Sequence, residues 1–183
     1  MKKQMIASDI HGSSESCCKL LERYDAEGAD RLLLLGDLLY HGPRNALPSG
    51  YAPQKVAELL NTRKDTILCV RGNCDTEVDQ MVLEFPILAD YCVLSLDDIT
   101  IYATHGHRYS ENSPPPLPCK AILLGGHTHV PTCHEYKEYV YLNPGSTTIP
   151  KEGSPRSYMI YEDGVFLWKE LDTGREYRCW QPV

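Results

Sequence analysis

The chain has 183 residues, 42% hydrophobic and 23% charged, with a formal charge of −7. That length predicts one domain across residues 1–183 and is short for two. The acidic balance argues against broad nucleic-acid binding, which needs basic surface to displace counterions, and the longest apolar runs, such as Leu32–Leu35, fall far short of the ~20 residues that cross a bilayer.

The opening M-K-K-Q-M-I-A-S-D-I carries a charge by Asp9 and reads as a first strand, not a secretion signal. Met5–Ser8 is that strand. Cys17, Leu20, Leu21 and Tyr24 then follow the i, i+3, i+4, i+7 spacing of an amphipathic helix, with Ser13 or Ser14 to cap it, Glu15 in its first turn and Gly28 at its end. Arg31–Leu35 is a second buried strand, so the two strands of this βαβ unit are expected to be parallel. A Gly/Pro/Asn-rich loop covers Leu38–Gly50. A helix is predicted over Pro53–Asn61, with Pro53 in its first turn and Val56, Leu59 and Leu60 on its apolar face. Thr66–Val70 is a third buried strand.

Farther on, Tyr91–Leu96 and Ile99–Thr104 flank Asp97-Asp98, a hairpin turn by its composition. Residues 110–118, with S-P-P-P-L-P, are irregular or polyproline-like. Ala121–Leu124 is a further buried strand. Tyr139–Leu142, Ser157–Tyr161 and Val165–Lys169 read as antiparallel strands, the last two joined through Glu162-Asp163-Gly164. The last ten residues carry no clear pattern. The expected class is α/β: two sheets packed on each other with helices outside. Eight cysteines without a C-x-x-C pair or a secretion signal indicate reduced thiols in a cytoplasmic protein, and Cys17, Cys69 and Cys92 fall at apolar positions.

Chemistry concentrates where strands should end. Asp9 and His11 stand in S-D-I-H-G, Asp37 in L-L-L-L-G-D, Asn73 in V-R-G-N-C-D, His105 in A-T-H-G-H, and His127 with His129 in L-L-G-G-H-T-H. In an open α/β sheet the carboxyl ends of strands gather ligand-binding groups. Carboxylate oxygen, amide oxygen and imidazole nitrogen together suit divalent transition metals. Asp9 and His11 leave one strand end and can turn on one ion. Asp37 has two oxygens with which to bridge two ions, and Asn73 adds an oxygen without adding charge. The glycines before His127 free the backbone to fan His127 and His129 apart. Two divalent cations outweigh the charges of Asp9 and Asp37, so such a site attracts a small anion even within an acidic protein.

The ordered series D-x-H, G-D, G-N-x-D, H and G-H-x-H resembles the signature of the calcineurin-like metallophosphoesterases. It covers residues 9–129, and with the loop H-G-P-R-N-A-L-P-S-G-Y-A-P, Cys74 and N-P-G-S at 143–146 the similarity extends over nearly the full length. The resemblance implies a four-layer-type β-sandwich of two mixed sheets flanked by helices. It also implies two metal ions, Mn²⁺ first and Fe, Zn or Ni as other occupants. Asp9, His11, Asp37 and His129 would hold one ion, and Asp37, Asn73, His105 and His127 the other. The ions would lie about 3.5–4 Å apart, with a bridging hydroxide attacking phosphorus in line. The implied substrate is a small phosphodiester, and the implied assembly a homo-oligomer, for which the antiparallel segment near the C-terminus offers an edge.

Cys74 departs from the family, which usually has a histidine there to stabilise the transition state or protonate the leaving group, with Asp75 orienting it. Cys74 and Asp75 are therefore the catalytic candidates. A thiol brings no positive charge, which favours a diester with one negative charge over a monoester with two. Cys74 as a mere space-filler is the alternative. His41, Arg44, Asn45 and His107 are substrate-binding candidates. The first three also read as a structural loop held by Pro43 and Pro48, and His107 as a group that fixes a ligand imidazole. His134 is expected to be exposed and without a role. Rival functions are a cyclic-nucleotide phosphodiesterase, a phosphomonoesterase, a nuclease (disfavoured by the missing basic track), and a non-catalytic scaffold of the same fold, which would lack key histidines.

Overall fold

The computed structural model describes residues 3–96 and 99–182, so the Asp97-Asp98 turn lies outside the described residues. The first half follows the expected βαβαβ order: β1 (Gln4–Ala7), α1 (Ser14–Glu27), β2 (Arg31–Leu34), α2 (Pro53–Asn61) and β3 (Ile67–Cys69). β1 pairs in parallel with β2, and β2 with β3. Ser13, not Ser14, caps α1, its hydroxyl accepting from the Ser16 N–H at 3.2 Å; Gly28 ends the helix at φ 61°. A short α3 (Glu77–Gln80) begins at a reciprocal Thr76/Asp79 capping box and buries none of its residues.

The second half holds β4 (Tyr91–Leu96), β5 (Ile99–Thr104), β6 (Ala121–Leu124), β7 (Thr132–Glu135), β8 (Tyr139–Asn143), β9 (Ser157–Glu162), β10 (Val165–Glu170) and β11 (Glu176–Trp180). Among the described residues these complete two mixed sheets, in the orders β11-β10-β9-β1-β2-β3 and β4-β5-β6-β8-β7. β9 and β10 are antiparallel, as expected. β8 does not join them. It runs parallel to β6 and antiparallel to β7, because β7 and β8 close as a hairpin, the Tyr136 N–H donating to the Tyr139 carbonyl at 2.9 Å. Apolar alternation marks a strand without naming its neighbour. His134, on β7, is exposed as expected, but it contacts the Glu111 carboxylate.

Side-chain alternation divides the core into layers. Met5, Ala7, Leu32, Leu34, Tyr158 and Ile160 face α1 and α2 in one cluster, with Leu20, Val56 and Leu60. Ile6, Leu33, Leu35, Met159, Tyr161 and Phe166 face the second sheet, meeting Ile101, Ile122, Leu124 and Leu142. The two longer helices thus cover the six-stranded sheet. All eight cysteines are unpaired, and no helix of the described residues is long and apolar enough to cross a membrane. β1, β2 and β3 run parallel in one sheet and β5 and β6 in the other. Their carboxyl ends meet at one end of the sandwich.

Candidate metal centre

The loops after these strands bend sharply. Asp9, His11, Asp37, His127 and His129 have φ of 60°, 49°, 56°, 64° and 63°. This left-handed region is one that Asp and His tolerate better than most residues, but it still costs about 1–3 kcal/mol at each site. Backbone bonds hold the loops in step: Asp9 N–H donates to the Gly36 carbonyl at 3.1 Å, His11 N–H to Asp37 at 2.9 Å, and Gly126 N–H to His105 at 2.7 Å. Gly72 allows a close approach. A Cβ there would lie 2.1 Å from Asp37 Oδ1.

The side chains converge in two linked groups. Around Asp9 Oδ1 stand His129 Nε2 at 3.2 Å and His11 Nε2 at 3.5 Å. Around His105 Nε2 stand Asn73 Oδ1 at 3.0 Å and Asp37 Oδ2 at 3.4 Å. The ligand atoms of Asp37, His105 and His127 all lie within 4.8 Å of one another, as do those of Asp9, His11 and His129. Asp37 Oδ2 is also 3.7 Å from His11 Nε2, so this carboxylate stands between the groups.

Three histidines are oriented from behind by backbone. The Nδ1–H of His11 donates to the Tyr40 carbonyl at 2.8 Å, that of His105 to Leu35 at 2.6 Å, and that of His129 to Ile149 at 2.6 Å. A carbonyl can only accept, so Nδ1 carries the proton and Nε2 turns inward as a potential ligand. Ser146 joins two of these supports. Its hydroxyl donates to the Asp9 carbonyl at 2.9 Å and accepts from the Ile149 N–H at 2.9 Å.

The donor set fits divalent cations. Asp9 is buried, its Oδ2 accepts the His127 N–H at 3.1 Å, and its Oδ1 has no hydrogen-bond partner among the described residues. His11 Nε2 and His129 Nε2 face each other at 3.2 Å. Two neutral imidazoles in the Nδ1–H form present lone pairs there, an arrangement that a shared cation relieves. Burial opposes charge on Asp9, but contacts with His11 and His129 hold its carboxyl well below the usual range. Burial likewise opposes charge on His105, yet Asp37 and Asp9 raise it to about 9. His107 goes the other way: burial and the neighbouring His105 and His127 lower it to about 4.

A cavity of about 540 Å³ opens over this cluster, its wall including His11, Asp37, Asn73, Cys74, His127 and His129. Arg44 and Asn45 line it as well, as do Thr128 and Lys151, which sequence reasoning missed. Thr128 lies between two ligand candidates and was findable; nothing near Lys151 signalled it. Neither Arg44 nor Lys151 forms an ion pair among the described residues. The structure does not bring His41 or His107 into the wall. His41 is held edge-on between Tyr40 and Tyr51, at ring distances of 4.7 and 5.2 Å. His107 stands 5.3 Å from the His105 ring and makes no hydrogen bond to it among the described residues. Cys74 lies against Asp37, its N–H donating to Oδ1 at 2.8 Å; burial, then that carboxylate, push its thiol up, keeping it protonated. Asp75 is buried, and its carboxylate accepts from the N–H groups of Asp37, Leu38 and Gly72 at 2.8, 2.9 and 2.7 Å. It braces the loops that carry Asp37 and Asn73.

Two sheets with a histidine and carboxylate centre at their shared end define a metallophosphoesterase. Residues 3–163 match the calcineurin-like phosphoesterase superfamily domain. The chain belongs to that superfamily. It is 48% identical to phosphodiesterase YfcE of Escherichia coli K12 over 165 residues, 90% of each chain. The solved structure of YfcE, a phosphoesterase from E. coli, superposes with a TM-score of 0.95 at 44% identity over 98% of each chain. Vacuolar protein sorting 29 from Cryptosporidium parvum shares the fold alone, with a TM-score of 0.65 at 18% identity over 99% and 98% of the two chains.

Proposed function

We propose that the protein is a metal-dependent phosphodiesterase that hydrolyses small phosphodiesters. The observation that carries this reading is the convergence of seven donor side chains, with an orphaned Asp9 Oδ1 and inward-facing Nε2 atoms, beneath a cavity lined by Arg44 and Lys151. The 48% identity to a phosphodiesterase supports the choice of reaction. Asp9, His11, Asp37 and His129 would hold one divalent ion and Asp37, Asn73, His105 and His127 a second, Mn²⁺ being the proposed occupant ahead of Fe, Zn or Ni. When bound, such ions supply Lewis-acid polarisation of phosphoryl oxygens and acidify the attacking water.

The chain's own residues supply the rest. Arg44 offers a forked donor and Lys151 a point charge to the non-bridging oxygens. Asn45 is fixed by donating its amide to the His41 carbonyl at 2.8 Å, which keeps the Arg44 loop in one shape. Cys74 borders the phosphate site as a neutral thiol, so the wall there adds no positive charge and a singly charged diester is preferred to a monoester. Asp75 is a positioning residue. Unpaired cysteines accord with the reduced cytoplasm, and the one-sided pairing of β11 among the described residues leaves an edge for a homo-oligomer.

The test is hydrolysis of bis(p-nitrophenyl) phosphate by metal-stripped protein before and after addition of Mn²⁺. Turnover that requires the metal and disappears in Asp37→Ala is expected. Turnover independent of either would remove the proposal, and a folded, metal-loaded protein inert towards every diester would return the scaffold reading.

A further inference from the structure

We infer that an apolar groove beside the metal cavity receives an aryl group carried by one alcohol of the phosphodiester, an inference that rests on the phosphodiesterase reading. The groove has a volume of about 560 Å³, and Cys74 lines both it and the metal cavity, so the two are neighbours across that residue. Their chemistry differs sharply. Arg44, Asn45 and Lys151 line the first, whereas the second is lined mainly by apolar side chains, Leu39, Tyr40, Tyr51, Val78 and Val82 among them, with Gln54, Thr76 and Asp79 as its polar members. A phosphodiester has the same division. Its charge resides on the phosphate, and its two alcohol groups leave the phosphorus in different directions. An alcohol group pointing past Cys74 passes from the polar cavity into the apolar one.

The groove is preformed on both sides. Tyr40 gives its carbonyl to His11 Nδ1–H, so the backbone that carries one aromatic wall also fixes a ligand candidate. Tyr51 packs where Gly12 leaves room: a Cβ on Gly12 would lie 2.5 Å from the Tyr51 ring. Tyr40, His41 and Tyr51 follow one another edge-on, which sets the two tyrosine rings on either side of His41. Opposite them, the Thr76/Asp79 capping box and the Val82 N–H to Asp79 carbonyl bond of 3.1 Å set Val78 and Val82 in place. These valines are 69% and 51% exposed. Two aromatic rings and aliphatic side chains lining one groove suit a flat ring better than a flexible chain.

Diphenyl phosphate and dimethyl phosphate test this, since both carry one charge and neither has an activated leaving group. Their inhibition constants are measured on the Mn²⁺-loaded protein and on Val78→Asn and Val82→Asn, which change polarity at exposed positions without changing charge. The wild type should bind diphenyl phosphate at least about tenfold more tightly, the scale of burying part of a ring. In the variants that ratio should fall towards one, with dimethyl phosphate affected less than twofold. A wild-type ratio near one, or a ratio untouched by both variants, overturns the inference. So does a dimer that Val78→Asn dissociates together with a ratio near one, since a second copy then fills the groove. If the metal-loaded wild type hydrolyses no diester, the phosphodiesterase reading fails by itself, and calorimetric titration with the same two compounds still decides the groove.

Discussion

The Asp9–His11–His129 arm of the centre and the Asp37–Asn73–His105–His127 arm share carboxylate and imidazole donors, the second adding an amide oxygen, but differ in cover. Asp9, His11 and His129 are at most 3% exposed. In the other arm Asp37 and His105 are as buried, but Asn73 is exposed and His127 half-buried. Their supports differ too. Ser146 and the Ile149 carbonyl lock the first arm from the far side of β1, while Asp75 and the Leu35 carbonyl brace the second. A buried, fully oriented donor set gives up its ion slowly, and a partly open one exchanges and meets substrate. The more buried arm therefore suits retention and the more open arm suits turnover.

The largest effect should come from the group the arms share. Asp37→Asn is expected to lower kcat/KM on a diester by at least about two to three orders of magnitude, the range for losing a group that stabilises developing charge, and to reduce metal content in both arms. Asp75→Asn separates them. An amide nitrogen would replace one carboxylate oxygen and face at least one of the N–H groups that now donate there, so activity and metal affinity should fall by about 10–100-fold. Metal titration should show the ion on the Asn73 side weakened more than the other. Equal weakening of both would show that the arms are not independent. Ser146→Ala is the mirror case, expected to weaken the tight ion by about tenfold through Asp9 and the Ile149 carbonyl, with the looser ion unchanged in the same titration.

The smallest effect lies outside both arms. Glu27 meets Lys3 at 3.1 Å, the Tyr158 hydroxyl at 2.9 Å and Lys169. Burial opposes its charge, but Lys169, Tyr158 and Lys3 together hold its carboxyl below the usual value of 4.5. The folded-state value is depressed, so this stabilisation is present above pH 4.5 and is lost as pH falls through the lower value. Glu27→Gln should remove about 1 kcal/mol at neutral pH, allowing for solvent screening, and should flatten the acid limb of a urea-unfolding profile. Metal stoichiometry should not change.

Much of this contrast was legible from residue types and order. Buried runs such as Leu32–Leu35 and the Cys17–Tyr24 stripe have strong periods, and five strand ends rich in Asp, Asn and His announce a centre. What escaped notice has physical reasons. β7 (T-C-H-E) and β11 (E-Y-R-C-W) are edge strands with one half-wet face, so their composition carries little apolar signal. The carbonyls of Leu35, Tyr40 and Ile149 that orient the imidazoles belong to the backbone, which has no letter in a sequence. Asp75 was legible as important through G-N-C-D, but its bonding to three amides depends on two loops meeting. The apolar groove arises where Tyr40 and Tyr51 meet Val78 and Val82, segments that no local pattern links.

The left-handed turns at Asp9, His11, Asp37, His127 and His129 place heredity at odds with durability. Glycine fits each turn with less strain, so glycine at these five positions would relieve the backbone while removing five of the seven candidate metal donors. Selection for hydrolysis and selection for robustness pull these same codons in opposite directions, and any thermostable descendant that keeps its activity has to gain its firmness elsewhere in the sandwich.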